Sequence, residues 1–564
     1  MVRLGDLRRW NADLLDDAID ELKDRQDRLV QLDDELAGSG RPRDWQGKAA
    51  DAATAEHAKL GERLRELVLE ISTVRTTAIA TADEIRAVGN ELVEADALAH
   101  AHHFAITDDG RVEDLGTPPG IRPDEAADVD ADRHDRIRPD LVHRVERILA
   151  RADDADRELA KVLGDADEDL MDTGGAKTLA DAAALGDARG LGETIEPPPP
   201  GDPAKNAEWW KSLPAETKSA LAAAPPAWLG GMDGIPATVR HTANVNKIDD
   251  ERAALNAEAN RLREQIRQLP KGPGSRNLDG KYQRPLDQIE AKLKSLDEVE
   301  KVAAKPDRQL LVLDTSGERT KAAVGVGNVD TAEHVTVFTP GMNSTVEGGS
   351  LGDYDRSMDH LQQDALQQSY DYGDGGDVAA VTWLGYEAPQ GSEIFDPDRS
   401  VAGASTAQRG AADLANFYRG INESRADDPH LVAMGHSYGS TTTGYALQEE
   451  GVGVDAAVTM GSPGLGTDTR SDLHVPGGWM YNLESKWDGV ADLGAFGGDP
   501  SKNWQVDQLS TSEAVAPDGR HLKESSWHGT GGPTGYLTPG TTSQYNASSI
   551  AAGVHDLAIP ESRS

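Results

Sequence analysis

Gly-His-Ser-Tyr-Gly-Ser, residues 435–440, is the stretch on which the reading of this chain turns. It fits Gly-x-Ser-x-Gly, a pattern that chance alone produces easily in a chain with 58 glycines among 564 residues. The flanks decide more than the pattern. HLVAM at 430–434 has the unbroken apolar texture of a buried strand, and TTTGYALQEEG at 441–451 reads as a helix. Ser437 therefore falls where a strand turns sharply into a helix, the context of a nucleophile elbow. Gly435 and Gly439 let the two backbones approach, and His436 and Tyr438 flank a serine held in a strained conformation. The bland alternative is a polar residue in a glycine-rich turn.

A serine hydroxyl is a weak nucleophile and needs a base that is itself oriented by an acid. In strand–elbow–helix enzymes the chain order is serine, acid, histidine. Asp488 lies just past the strand-like WMYNLES, on the sheet edge where open α/β sheets bind ligands, and is the first choice of acid. Asp492 and Glu484 are the alternatives. Three histidines follow: His521, His528 and His555. His528 opens the glycine-rich SSWHGTGGPTGY and is the candidate base, while His555 is expected in the closing helix. The Tyr438 N–H, at a helix N-terminus, is one candidate oxyanion donor. The second is the Met342 N–H in VTVFTPGMNST, where Gly341 lets the backbone turn; Asn343 is the alternative. TMGSPG at 459–464 turns at the same edge and places Ser462 as a candidate pocket residue.

From residue 308 onward β-rich runs alternate with helical ones: QLLVLD, KAAVGVG, HVTVFTPG, VAAVTWLG, HLVAMG, DAAVTMG and WMYNLES, with helices near 355–369, 404–424 and 438–450. This alternation predicts an α/β fold, a mostly parallel sheet covered by helices, with an antiparallel start because no helix separates the first two strands. Upstream the chain is helical. Residues 3–37 and 48–100 carry apolar residues at helical spacing and predict an antiparallel hairpin. FAITDDGRVEDLG predicts a β-hairpin turning at Asp109-Gly110, and 138–164 a third helix. The expected domains are a helical bundle at 1–170, a proline-rich linker at 171–205, a helical middle region at 206–305 and the α/β domain at 306–564.

Composition excludes several function classes. A net charge of −41, from 98 acidic and 57 basic residues, argues against nucleic-acid binding and against anionic membrane surfaces. With no cysteine there is no disulfide, thiolate metal site or thiol nucleophile. No Sec-type leader and no apolar run of about 18 residues is seen, so no membrane-spanning helix is expected. Asp128, Asp130 and Asp132 begin like a calcium loop, but Arg133 and Pro139 stand where glycine and glutamate are needed, so no calcium site is expected. His100, His102 and His103 sit at a helix end, where the helix dipole favours them, and are not read as ligands.

TPGM at 339–342, GHSYGS at 435–440, GSPG at 461–464, WDGVADLG…GGDP at 487–500 and the closing WHGTGGPTGYLTPGTTSQYNASSIAAG at 527–553 together resemble an actinobacterial α/β-hydrolase family once catalogued as a domain of unknown function, DUF1023. The upstream WWKSLP…PPAWLGGMDGIPATVRHTAN extends the likeness over roughly 206–556. The resemblance implies Ser437, Asp488 and His528 as a catalytic triad, in agreement with the chain order. One departure is Asp488-Gly489, where the family more often has Asp-Pro. Trp45-Gln46-Gly47 between the first two long helices resembles the WXG100-type modules of type VII secretion. The Tyr-x-x-x-Asp/Glu export signal of that group is missing, since the first tyrosine is Tyr282.

The expectation is a serine hydrolase of the esterase or lipase type. It would act on a small-molecule or lipid-like ester through an acyl-serine, with no metal or organic cofactor. The rivals are a non-catalytic scaffold, binding a helical-hairpin partner or a second copy through its N-terminal half, and an amidase or peptidase using the same triad. The compartment is left between the cytoplasm and export by a type VII-like route.

Overall fold

Alternating apolar residues at spacings of three and four organise the N-terminal half. In the computed structural model, the described residues are 2–38, 48–119, 121–122, 129–131, 133–167, 171, 178–194, 198, 201–269, 276–393, 396, 399–477, 479–486, 488, 496–502, 506–525 and 535–562. They form two compact units, Met1–Glu196 with Pro214–Pro226, and Pro197–Leu213 with Ala227–Ser564.

The first unit is a helical bundle. Helices α1 (Asp13–Gly38) and α2 (Lys48–Ala101) pack together, and α3 (Arg138–Asp167) and α4 (Leu179–Thr194) lie along α2. On α3 the buried residues Leu141, Val145, Ile148, Ala152, Ala155 and Val162 recur every three, four or seven positions, which makes one apolar stripe. A hairpin of β1 (Phe104–Ile106) and β2 (Val112–Asp114) turns through Gly110 at φ 80°, as the sequence predicts. Arg133, only 2% exposed, donates to His102 O and pairs with Asp130 and Asp114. Asp130 of the rejected calcium loop is therefore an ion-pair partner. Trp45-Gln46-Gly47 lies outside the described residues.

Two expectations change here. The first helix does not run from residue 3: a single turn at Leu4–Leu7 precedes α1. The stretch expected as a linker, 171–205, carries α4. The proline run that closes it suggested a stiff spacer, but α4 ahead of that run serves close packing. A side chain at Gly186 would collide with the Leu69 carbonyl of α2, and one at Gly190 would lie 2.8 Å from Thr73 O. Short helix α6 (Ala215–Ala223) also belongs to this unit.

The second unit contains α5 (Pro203–Ser212), long helices α7 (Ala237–Gln268) and α8 (Arg276–Ala303), and an eight-stranded sheet. The strands are β3 (Arg308–Asp314), β4 (Lys321–Val326), β5 (His334–Thr339), β6 (Val378–Leu384), β7 (His430–His436), β8 (Ala456–Met460), β9 (Met480–Leu483) and β10 (Asp507–Leu509). Their order is β10-β9-β8-β7-β5-β6-β4-β3, with β4 antiparallel to both neighbours and the other pairs parallel. The antiparallel start follows the sequence reading. Three-residue β10 is too short to show a periodicity.

Every residue of β5 and β6 is buried, because helices cover both faces. On one face α10 (Ser405–Glu423) brings Leu414, Phe417 and Tyr418 against Val335 and Val337. On the other, α9 (Ser350–Tyr372) and α12 (Thr542–Ala551) bring Met358, Leu361, Ala547 and Ile550 against Phe338 and Met434. Helix α7 packs on β3, so most of the region expected as a separate helical middle at 206–305, all but 214–226, shares a compact unit with the sheet. Among the described residues no helix is long and apolar enough to cross a membrane.

Candidate active site

Strand β7 ends at His436 and helix α11 (Tyr438–Ala446) begins two residues later, leaving Ser437 alone in the bend. Its backbone sits at φ 52°, ψ −131°, a region that non-glycine residues rarely occupy. Ser437 N–H donates to Met460 O at 2.9 Å, pinning the bend to the end of β8. The surroundings require glycine. A Cβ on Gly435 would lie 2.5 Å from Ser440 Cα. One on Gly439 would overlap the Thr339 and Pro340 carbonyls. One on Gly341 would lie 2.8 Å from Ser437 Cβ and 3.2 Å from its Oγ. The loop after β5 is thus pressed directly on the serine.

That loop and the first turn of α11 supply the N–H groups singled out from sequence. Among the described residues, neither the Met342 nor the Tyr438 N–H meets an acceptor. Asn343 N–H, the alternative, is committed to Pro389 O at 2.9 Å, and the Asn343 side chain accepts from Gly391 N–H at 2.8 Å. The Tyr438 phenol points away from the bend, donating to Gly403 O at 2.6 Å and accepting from Ala407 N–H at 3.2 Å. It therefore ties the elbow to the end of the 385–403 loop.

Ser462 has a different place from the pocket position expected for it. It is buried, with its Oγ 2.7 Å from Ser440 Oγ and accepting from Gly464 N–H at 3.2 Å. Ser440 Oγ also lies 2.6 Å from Ser437 O. These two hydroxyls brace the elbow from beneath.

Asp488 follows β9 and is buried. Its Oδ2 accepts from the Tyr536 hydroxyl at 2.7 Å. Glycine at 461, where β8 ends at φ 53°, makes room for it, since a Cβ there would lie 2.5 Å from Asp488 Oδ2. The His436 ring lies against Tyr536, with centroids 5.8 Å apart. Burial pushes the His436 imidazole down to about 4, against the opposing pull of the Asp488 charge, so the ring beside the serine is neutral at neutral pH. Its buried Nδ1 has no hydrogen-bond partner among the described residues.

His528 and Asp492 lie outside the described residues. His521 is exposed on a small hairpin of β11 (Ala514–Val515) and β12 (His521–Leu522). His555 is not in the closing helix as expected; it follows α12 in a short 3-10 turn and contacts His430, at the strand end opposite Ser437. Tyr536 was missed in the sequence reading. Its bond to Asp488 spans 48 positions and leaves no local pattern.

Residues 315–497, which include Ser437 and Asp488, match a family model described as Alpha/beta hydrolase. Rv0963c, an uncharacterized protein of Mycobacterium tuberculosis, is 34% identical over 265 residues, 45% of this chain and 95% of that protein. Mb0988c of Mycobacterium bovis matches to the same extent. Rv2079 of Mycobacterium tuberculosis, also uncharacterized, is 30% identical over 315 residues, 54% of this chain. The match covers only 46% of Rv2079, so this chain spans about half the length of that relative. With its elbow, its strand order and these relatives, the chain belongs, through its C-terminal domain, to the alpha/beta hydrolase family.

Proposed function

We propose that the C-terminal domain is a serine hydrolase that cleaves a carboxylic ester through an acyl-serine. The observation that carries this reading is the strained Ser437 at φ 52°, capped by Gly341 and followed by the start of α11. Such strain persists only where the surroundings over-determine it, and it clusters at functional sites.

In the proposed reaction His528 takes the Ser437 proton as Oγ attacks the ester carbonyl, and the Met342 and Tyr438 N–H groups stabilise the oxyanion. His528 then protonates the departing alkoxide. Water, deprotonated by the same histidine, releases the acid and restores the serine. Asp488 holds the imidazole tautomer and balances the imidazolium charge. His528 enters by chain order and by the family resemblance. This chemistry calls for no metal or organic cofactor. The strongly acidic chain favours neutral or cationic esters over polyanions.

The test is covalent labelling with a fluorophosphonate. Stoichiometric modification of Ser437, located by mass spectrometry and lost in Ser437→Ala, supports the reading. Folded wild-type protein that takes no label sinks it. Parallel panels of 4-nitrophenyl esters and anilides then separate ester from amide cleavage.

A further inference from the structure

Tyr536 occupies a position that the reaction above does not use. The phenol is 1% exposed, and both hydrogen-bonding directions of its hydroxyl are committed. It accepts from Ser485 N–H at 2.9 Å, which directs its own hydrogen to Asp488 Oδ2 at 2.7 Å. The acceptor is itself only 5% exposed. Gly461 closes the third side: a Cβ there would lie 2.5 Å from Asp488 Oδ2 and 3.2 Å from the Tyr536 oxygen.

The tyrosine is in turn held from behind. Its carbonyl accepts from Ser543 Oγ at 2.6 Å, Ser543 Oγ lies 2.6 Å from Ser525 Oγ, and Ser525 O accepts from Ser485 Oγ at 3.0 Å. The circuit Ser485–Ser525–Ser543–Tyr536 closes on itself and fixes the backbone three residues before the carboxylate. The His436 ring lies against the phenol, so Tyr536 touches both Asp488 and the residue that precedes the serine.

Resting on the hydrolase reading of Ser437 and Asp488, we propose that Tyr536 is a positioning residue: its hydroxyl clamps one oxygen of the acid and so sets the direction of the carboxylate toward the base. A hydrogen bond to an ionised acceptor is about twice as strong as a neutral one. Burial and the facing carboxylate push the Tyr536 phenol well above its ordinary range, so it remains a donor throughout the working pH range.

Two full-chain variants test this. Tyr536→Phe keeps the ring and removes the donor. Gly461→Ala drives a methyl group at the same carboxylate oxygen and leaves the phenol in place. Both are compared with wild type for the rate of fluorophosphonate labelling at Ser437 and for kcat and KM on a 4-nitrophenyl ester, from pH 5 to 9, with thermal melts to verify folding. The expected result is at least about a tenfold loss of kcat and labelling rate with KM little changed. The acid limb of kcat/KM, which reports the histidine base, moves to higher pH, because a carboxylate with one donor fewer turns more of its charge on the imidazolium. Wild-type rates in a folded Phe variant overturn the proposal. So does a uniform loss with an unmoved acid limb, the mark of a merely structural role. Agreement of Gly461→Ala with Phe supports it, and wild-type behaviour of a folded Gly461→Ala counts against it. An unlabelled wild type overturns the hydrolase reading and this proposal together, whereas a labelled wild type with an unaffected Phe variant overturns this proposal alone.

Discussion

His430 Nε2 and His555 Nε2 stand 3.3 Å apart at the end of β7 opposite Ser437. They belong to a chain of contacts. Tyr481 OH lies 2.8 Å from His555 Nδ1, His430 Nδ1 lies 3.4 Å from His334 Nδ1, and His334 Nε2 lies 3.0 Å from Asp374 Oδ1. One donor order satisfies all four: tyrosine to His555, His555 to His430, His430 to His334, His334 to the carboxylate. In it His430 and His555 each donate once and accept once, as neutral imidazoles.

This arrangement makes the fold acid-sensitive. Burial, reinforced by the neighbouring imidazoles, pushes His430 down to about 4; burial does the same to His555 against the pull of Asp556. Asp374, Asp556, Tyr481 and Trp479 are the other groups facing the chain. An unfolded histidine titrates near 6.5, so between about 6.5 and 4 the unfolded state binds more protons. Stability is full above that window and is lost as pH falls through it, on the order of 1 kcal/mol per histidine per pH unit. Urea midpoints from pH 7 to 4.5 are expected to fall steeply in wild type and less steeply in His430→Gln. Equal slopes would refute the assignment.

The Gly341 contact makes a second prediction. A methyl group there meets Ser437 Cβ at 2.8 Å and Oγ at 3.2 Å, so the serine or the loop has to shift. Gly341→Ala is expected to fold, at a cost of about 1–3 kcal/mol, and to lose about a hundredfold in labelling rate. Labelling at the wild-type rate would mean that the loop after β5 yields freely.

Asp355 offers a stability prediction away from the site. It is wholly buried on α9 and accepts from Lys305 Nζ at 2.6 Å and Arg308 Nε at 2.7 Å. Removing one partner of a buried pair strands the other charge, so Asp355→Ala is expected to cost about 3–5 kcal/mol. The double variant Asp355→Leu/Arg308→Met is expected to recover a large part of that. Chemical denaturation of the three proteins decides it, and an Asp355→Ala loss under about 1 kcal/mol would show that water reaches the cations.

What could be read from sequence follows the range of the interactions. The elbow was legible because strand, Gly435, Ser437, Gly439 and helix are contiguous and each responds to the same local sterics. The alternation of β5 to β9 with helices was legible for a similar reason. Helix α4 was not, because Gly186 and Gly190 carry the same composition whether they loosen a linker or press against α2. Neither Tyr536 nor Gly461 was legible as a partner of Asp488, since the loop that brings them together is assembled only by the sheet.

The elbow itself gives the last prediction, which separates strain from chemistry. Ser437 at φ 52°, ψ −131° holds a conformation that costs a non-glycine residue about 1–3 kcal/mol. Glycine adopts it without that penalty but loses more freedom on folding, roughly 0.5–1 kcal/mol. Ser437→Ala removes the hydroxyl and keeps the strain; Ser437→Gly removes both. Neither takes label, but Ser437→Gly is expected to be more stable than Ser437→Ala by about 1 kcal/mol, read from urea midpoints at pH 7. The difference arises in the backbone, because the two variants lack the same hydroxyl. Equal midpoints would mean that the bend is relaxed, and that Gly341, Gly435 and Gly439 leave the serine more room than their contacts indicate.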